Sequence, residues 1–121
     1  MSATTESPLF LLCLEQPDGP PPAPGDLDRI MAAVAALNDD LRAAGAWVLT
    51  AGLAPVDQAW VARSGATGTV VTDGPFAEAR EHVGGFWVIR CAGPDEALGW
   101  AGRASAATTL PVEVRPVTFL G

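Results

Sequence analysis

"LFLLCL", Leu9–Leu14, is an unbroken run of six apolar residues. A strand with one face in water alternates apolar and polar side chains, so a run without alternation belongs to a strand covered on both faces, inside a sheet. "FWVIRC", Phe86–Cys91, reads the same way as far as Arg90. These two runs set the centre of the fold, and the remaining elements arrange themselves around them.

Directly after the first run, "QPDGPPPAPG", Gln16–Gly25, carries five prolines. With so few backbone donors it can join neither sheet nor helix and is expected to be a surface connection of local polyproline character. Asp26 then reads as the cap of a helix whose apolar positions Leu27, Ile30, Met31, Val34, Leu37 and Leu41 keep the three-and-four spacing of one buried face. Asp28, Asn38, Asp39 and Arg42 are assigned to the opposite, solvated face, and Gly45 ends the helix. Trp47–Leu53 reads as a strand with Trp47, Leu49, Ala51 and Leu53 on one side. Gln58–Arg63 and Thr69–Thr72 flank the glycine-rich joint "SGATG" of a hairpin.

Beyond Phe86–Cys91, "GPDEALGWAGRA" opens a second helix. Pro94 takes the first helical position after Gly93, and Asp95 and Glu96 sit where the helix dipole favours them. Gly99 and Gly102 inside it each weaken the helix by roughly 1 kcal/mol relative to alanine, so close packing on the sheet is expected to hold it. Val112–Phe119 is the last strand, and Pro116 marks it as an edge or a bulge. With the hairpin treated as an insertion, the order is βαββαβ, an α+β fold in one domain spanning residues 1–121, with both helices on one face of an antiparallel sheet. The other face has no cover within the chain although both central strands are apolar there. A homodimer joined sheet to sheet is therefore expected.

Composition narrows the function classes. Seven basic residues, all arginine, against fourteen acidic ones give a formal charge of −7, which opposes binding to nucleic acid and to anionic membranes. The stretch Met1–Ser7 followed by the short Leu9–Leu14 run is too brief for a signal segment or a membrane span, so a cytoplasmic location is expected. Cys13 and Cys91 lie in strand-like runs as small apolar residues. One histidine with two distant cysteines cannot close a tetrahedral metal shell, and no motif calls for a cofactor.

Chemistry concentrates in "TDGPFAEAREHVGG", Thr72–Gly85, which holds the chain's single histidine. One reading is a turn: Asp73 accepts from backbone amides, Gly74 takes an unusual dihedral angle, Pro75 fixes the next, and Phe76 anchors the turn in the core. The other is a site, with Asp73 or Glu78 as general base, His82 as acid or proton shuttle and Arg80 binding an anionic group. Phe76, Trp47 and Trp87 are then candidates to hold a ring. Neither Ser64 nor Ser105 sits in a nucleophile elbow, and the glycines form no phosphate loop.

"VTDGPFAEAREHVGGFWVI", Val71–Ile89, resembles the signature of the YCII-related family, specifically its DGPF branch, and "PDEALGWAGR" and "VEVRPV" resemble that branch's closing helix and strand. The resemblance implies a ferredoxin-like fold of the dimeric α/β-barrel type. It implies little chemistry: most members of the branch have no assigned activity, some accompany sigma factors, and a distant relative removes chloride from chlorinated hydroquinones. The histidine–aspartate pair proposed in the wider family does not carry over, because its first-helix histidine has no counterpart here near Asn38. Arg80 and Ala79 replace that branch's usual lysine and threonine, and His82 stands where glutamine is common. Three functions follow as expectations: a dimer binding a small molecule or regulatory partner near the DGPF loop, a cofactor-free lyase or isomerase acting on a small aromatic or lactone, or an interaction module in a sigma-factor pathway.

Overall fold

A computed structural model describes residues 7–120. The elements in chain order are β1 (Leu9–Pro17), α1 (Pro24–Ala43), β2 (Trp47–Gly52), a short turn of 3-10 helix (Val56–Gln58), β3 (Trp60–Gly65), β4 (Gly68–Asp73), β5 (Glu81–Arg90), α2 (Pro94–Thr108) and β6 (Val112–Pro116). The two continuous apolar runs lie where their composition demands. β1 and β5 are the inner strands of a fully antiparallel four-stranded sheet ordered β2-β5-β1-β6. This is the ferredoxin-like order, with β3 and β4 forming a separate two-stranded sheet.

Both helices cover one face. Phe10, Leu12, Trp87 and Ile89 form one buried cluster with Leu37 and Leu41 of α1 and Ala97, Ala101 and Ala104 of α2. Full burial of a leucine or isoleucine stabilises by about 1.5–3 kcal/mol, so this layer supplies most of the driving force. Alanines along the inner face of α2 let that helix lie close to the sheet, and an Arg103–Asp40 ion pair ties it to α1. The opposite face, carrying Leu11, Leu49, Ala51, Phe86 and Val88 by the strand register, meets neither helix. No helix among the described residues is long and apolar enough to cross a membrane.

Several local expectations change. α1 starts two residues earlier than Asp26: Pro24 begins it, Ala23 is the cap without a side-chain bond, and Asp26 pairs with Arg29 in the first turn. Fixed φ and a missing donor suit proline at that position. In β2 a bulge at Val48 shifts the register, so Trp47 faces the helices while Leu49 and Ala51 face the other way. β1 runs on through Gln16 and Pro17, opposite His82 and Glu81, so β5 is longer than its apolar part. Gly99 and Gly102 do not approach the sheet; a Cβ at either would meet open space. What starts α2 is Pro94 together with the Glu96 carboxylate, which accepts from the Ala92 amide at 2.7 Å. Pro116 ends β6, an edge strand as its ring requires.

Candidate functional site

The Gly-Gly pair in "EHVGG" builds the site. The β1–β5 register shifts between Leu14 and Glu15, so that Gly85 and Val83 are paired and Gly84 is the extra residue of a bulge. A Cβ on Gly84 would overlap the Gln16 side chain, 2.8 Å from its Cβ, and one on Gly85 would stand 2.9 Å from the Ala51 carbonyl oxygen. Only glycine allows β1, β5 and β2 to converge this closely. The bulge turns Gln16 and His82 into the wall of a cleft at this end of the sheet.

The cleft has two chambers that share Gln16, Pro17 and Gly84. The larger, of about 580 Å³, lies beneath the first half of α1, where Leu27, Ile30, Met31 and Val34 face Leu14, Thr50 and Trp87 across unfilled space. Pro20 and Pro22 of the proline-rich connection and Thr109 close its rim. Thr109 caps α2 in the left-handed conformation, with φ 65°, and is the one non-glycine residue with positive φ among those described. A β-branched side chain is strained there, at a cost of order 1–3 kcal/mol. The smaller chamber, of about 390 Å³, is lined by Asp18, Asp57 and His82. Asp18 is held by its amide, which donates to the Arg80 carbonyl at 3.0 Å, and its carboxylate lies 3.7 Å from His82 Nε2.

Hydrogen bonds fix Asn38, Trp87, Thr50 and Thr108 in the larger chamber. Trp87 Nε1 donates to Asn38 Oδ1 at 2.9 Å, and the Thr50 hydroxyl donates to the Phe86 carbonyl at 2.8 Å. Thr108 donates to the Ala104 carbonyl at 2.8 Å. None of the side chains lining this chamber among the described residues is ionisable.

Of the residues singled out in the sequence, His82 and Trp87 line the cleft, one in each chamber. Asp73, Glu78 and Arg80 do not join them. All three are exposed, line neither chamber and make no side-chain hydrogen bond or ion pair within the described residues. Asp73 closes the β3–β4 ladder opposite Trp60, and Gly74, at φ 99°, donates its amide to the Ala59 carbonyl at 2.8 Å. The DGPF turn is thus the base of a projecting hairpin. Phe76 does not anchor it in the core as expected: it is 74% exposed, with the Arg63 guanidinium 5.1 Å from its ring centroid. The hairpin pairs only with itself, so it offers no core to enter. Trp47 packs on the main core with Arg42 stacked on its ring at 4.0 Å, away from both chambers.

Sequence reasoning missed Asn38, Asp18 and Thr109. Asn38 carried a signal, since it lies four residues after Val34 and three before Leu41, on the apolar stripe and not opposite it. Asp18 and Thr109 owe their positions to the bulge and to a helix end, which no local pattern marks. Cys13 and Cys91 are free and buried, and burial raises both thiols above their ordinary range, with Glu113 and Glu15 adding to the effect at Cys13. They are poor nucleophiles.

A model of the YCII-related domain matches residues 10–120 of the chain. The chain is also 40% identical, over 94 residues and 76% of each sequence, to an uncharacterized protein of Rhizobium meliloti.

Proposed function

Because the chain belongs to the YCII-related family, a family without a common activity to lend it, we propose from its own geometry that it is a homodimer that binds a small molecule in the larger chamber. One observation carries this reading. The apolar stripe of α1 continues over Leu27, Ile30, Met31 and Val34, but where the sheet should meet it there is a cavity large enough for a ring system. Apolar surface left beside unfilled space lacks the contacts that close packing would supply, and a ligand restores them. The strained Thr109 at the rim supports the reading, since such strain concentrates at ligand clamps.

The test is a thermal-shift screen of neutral aromatic compounds against the native chain and Ile30→Trp, in which the indole projects into the chamber and takes part of the ligand's space. A compound at a hundred times its dissociation constant stabilises by about 2.7 kcal/mol. Hits are expected to stabilise the native chain and to lose that effect in the variant. Equal shifts in both would place the binding elsewhere.

The dimer follows from the face carrying Leu11, Leu49, Phe86 and Val88, which both helices leave uncovered. Leu49→Glu is expected to halve the mass seen in sedimentation while leaving the fold intact, because Leu49 is already 43% exposed in the single chain. A native chain sedimenting as a monomer at micromolar concentration would refute this part.

The His82–Asp18 pair favours a second reading, cofactor-free acid–base catalysis. A carboxylate near one imidazole nitrogen orients the ring, and the ring then moves a proton beside the carbonyl of a compound seated in the smaller chamber that His82 itself lines. Asp18 takes the place that Asp73 and Glu78 hold in the sequence expectation. Deuterium incorporation beside the carbonyl of α-tetralone should exceed the buffer rate and drop at least tenfold in His82→Gln. Exchange at the buffer rate would leave binding alone.

A further inference from the structure

We infer that the larger chamber selects a neutral ligand bearing a carbonyl oxygen on an apolar ring, and that Asn38 recognises this oxygen; the inference rests on the binding reading above. With no ionisable side chain among the described residues on its walls, the chamber cannot pair a buried carboxylate or ammonium, and an unpaired ion loses its hydration without return. The acidic balance of the chain, −7, adds to the exclusion of anions.

An indole N–H can only donate, so the Asn38 side chain must turn its oxygen to Trp87, and its NH₂ group is directed away from that bond. That NH₂ group has no acceptor among the described residues. The hydroxyls of Thr50 and Thr108 already donate to backbone carbonyls, so towards a ligand they can only accept. Asn38 is therefore a donor whose orientation is set before any ligand arrives. Gln16 and Thr109, the other side chains on the wall able to donate, have no hydrogen bond among the described residues that fixes them. A fixed donor in an apolar chamber discriminates strongly, because a ligand without an acceptor leaves the amide unpaired on binding.

Trp87 and Met31 line the chamber, and an indole and a thioether both favour contact with a flat ring. An aryl ketone unites the ring and the acceptor without a charge.

Calorimetric titration with α-tetralone, tetralin and α-naphthoate tests this on the full chain. The three share a fused two-ring frame and differ in carrying a carbonyl, nothing polar, or a carboxylate. α-Tetralone is expected to bind at least tenfold tighter than tetralin, with α-naphthoate the weakest. Asn38→Asp keeps the acceptor for Trp87 and removes the donor, so it should abolish the preference for α-tetralone over tetralin, with the new carboxylate weakening both. Equal binding of α-tetralone and tetralin to the native chain, or tightest binding of α-naphthoate, would overturn the inference and leave the binding reading standing. Failure of all three to bind would overturn both. Should Asn38→Asp fail to fold, the native series alone decides between these outcomes.

Discussion

Leu37 and Leu41, in the last turns of α1, are 2% and 1% exposed, whereas Leu27 and Met31, earlier on the same stripe, are 41% and 59% exposed. The two halves carry one apolar repeat and differ only in what lies opposite. The later half meets α2, whose Ala97, Ala101 and Ala104 bring it close enough to close the layer. The earlier half stands over the β1–β5 bulge and the proline-rich segment, which leave the larger chamber open. Periodicity thus records which face of a helix is apolar, and the neighbouring elements decide whether that face is used for stability or for binding.

The sharpest way to break this contrast is to shorten a side chain in each half. Leu41→Ala is expected to cost about 2–5 kcal/mol in denaturant titration, the usual range for a leucine removed from a closed core. Met31→Ala should cost less than about 1 kcal/mol, since most of its surface is already in water or facing the chamber, yet it should weaken binding of α-tetralone severalfold. Equal losses of stability from the two variants would mean that the first half of α1 is structural core.

How far the sequence could be read follows from the same contrast. The strand order was legible because Leu9–Leu14 and Phe86–Cys91 lack alternation, and because prolines and glycines mark the breaks between elements. Which side Leu49 faces was not, because the bulge at Val48 inverts every side chain after it without changing the composition. The strand character of Glu81–Gly85 was hidden by charges and glycines whose pairing depends on β1, a distant segment. Of the site, His82 and Trp87 stood out by residue type, whereas Asp73 and Glu78 drew notice by clustering in sequence and lie apart from both chambers. Asn38 could have been placed by counting along the stripe. The chamber itself could not, since an absence of packing leaves no mark on local pattern.

Strain and helix propensity distinguish the two ends by smaller amounts. In the closed end, Gly99→Ala and Gly102→Ala should each stabilise by up to about 1 kcal/mol, because both positions face open space in the interior of α2. A loss of stability at either would reveal a close neighbour that the monomer does not contain. At the open end, Thr109→Asn should gain up to about 1 kcal/mol by relieving the left-handed conformation. If that strain positions the rim, the more stable variant will bind α-tetralone less tightly, which joins lower affinity to higher stability at this end alone.

The smallest expected effect is alkaline. Burial is the first cause of the raised thiol of Cys91, beneath α2, and a hydrogen bond from the Gly93 backbone offsets part of it. When a group ionises less readily folded than unfolded, stability is unaffected below its unfolded value and falls as pH rises past it. The decline should therefore begin near the free-thiol value of 9.0. Cys91→Ala should be less stable near neutrality through lost packing, and its stability should fall less steeply above that pH. Cys13 offers the matching measurement on the sheet face away from the helices: its thiol is raised by burial and then by Glu113 and Glu15. If a second chain covers that face, Leu49→Glu should speed alkylation of Cys13 and leave Cys91 as slow as before. Equal acceleration at both thiols would point to general loosening of the fold, and no acceleration at either would mean that the face is open in the native protein.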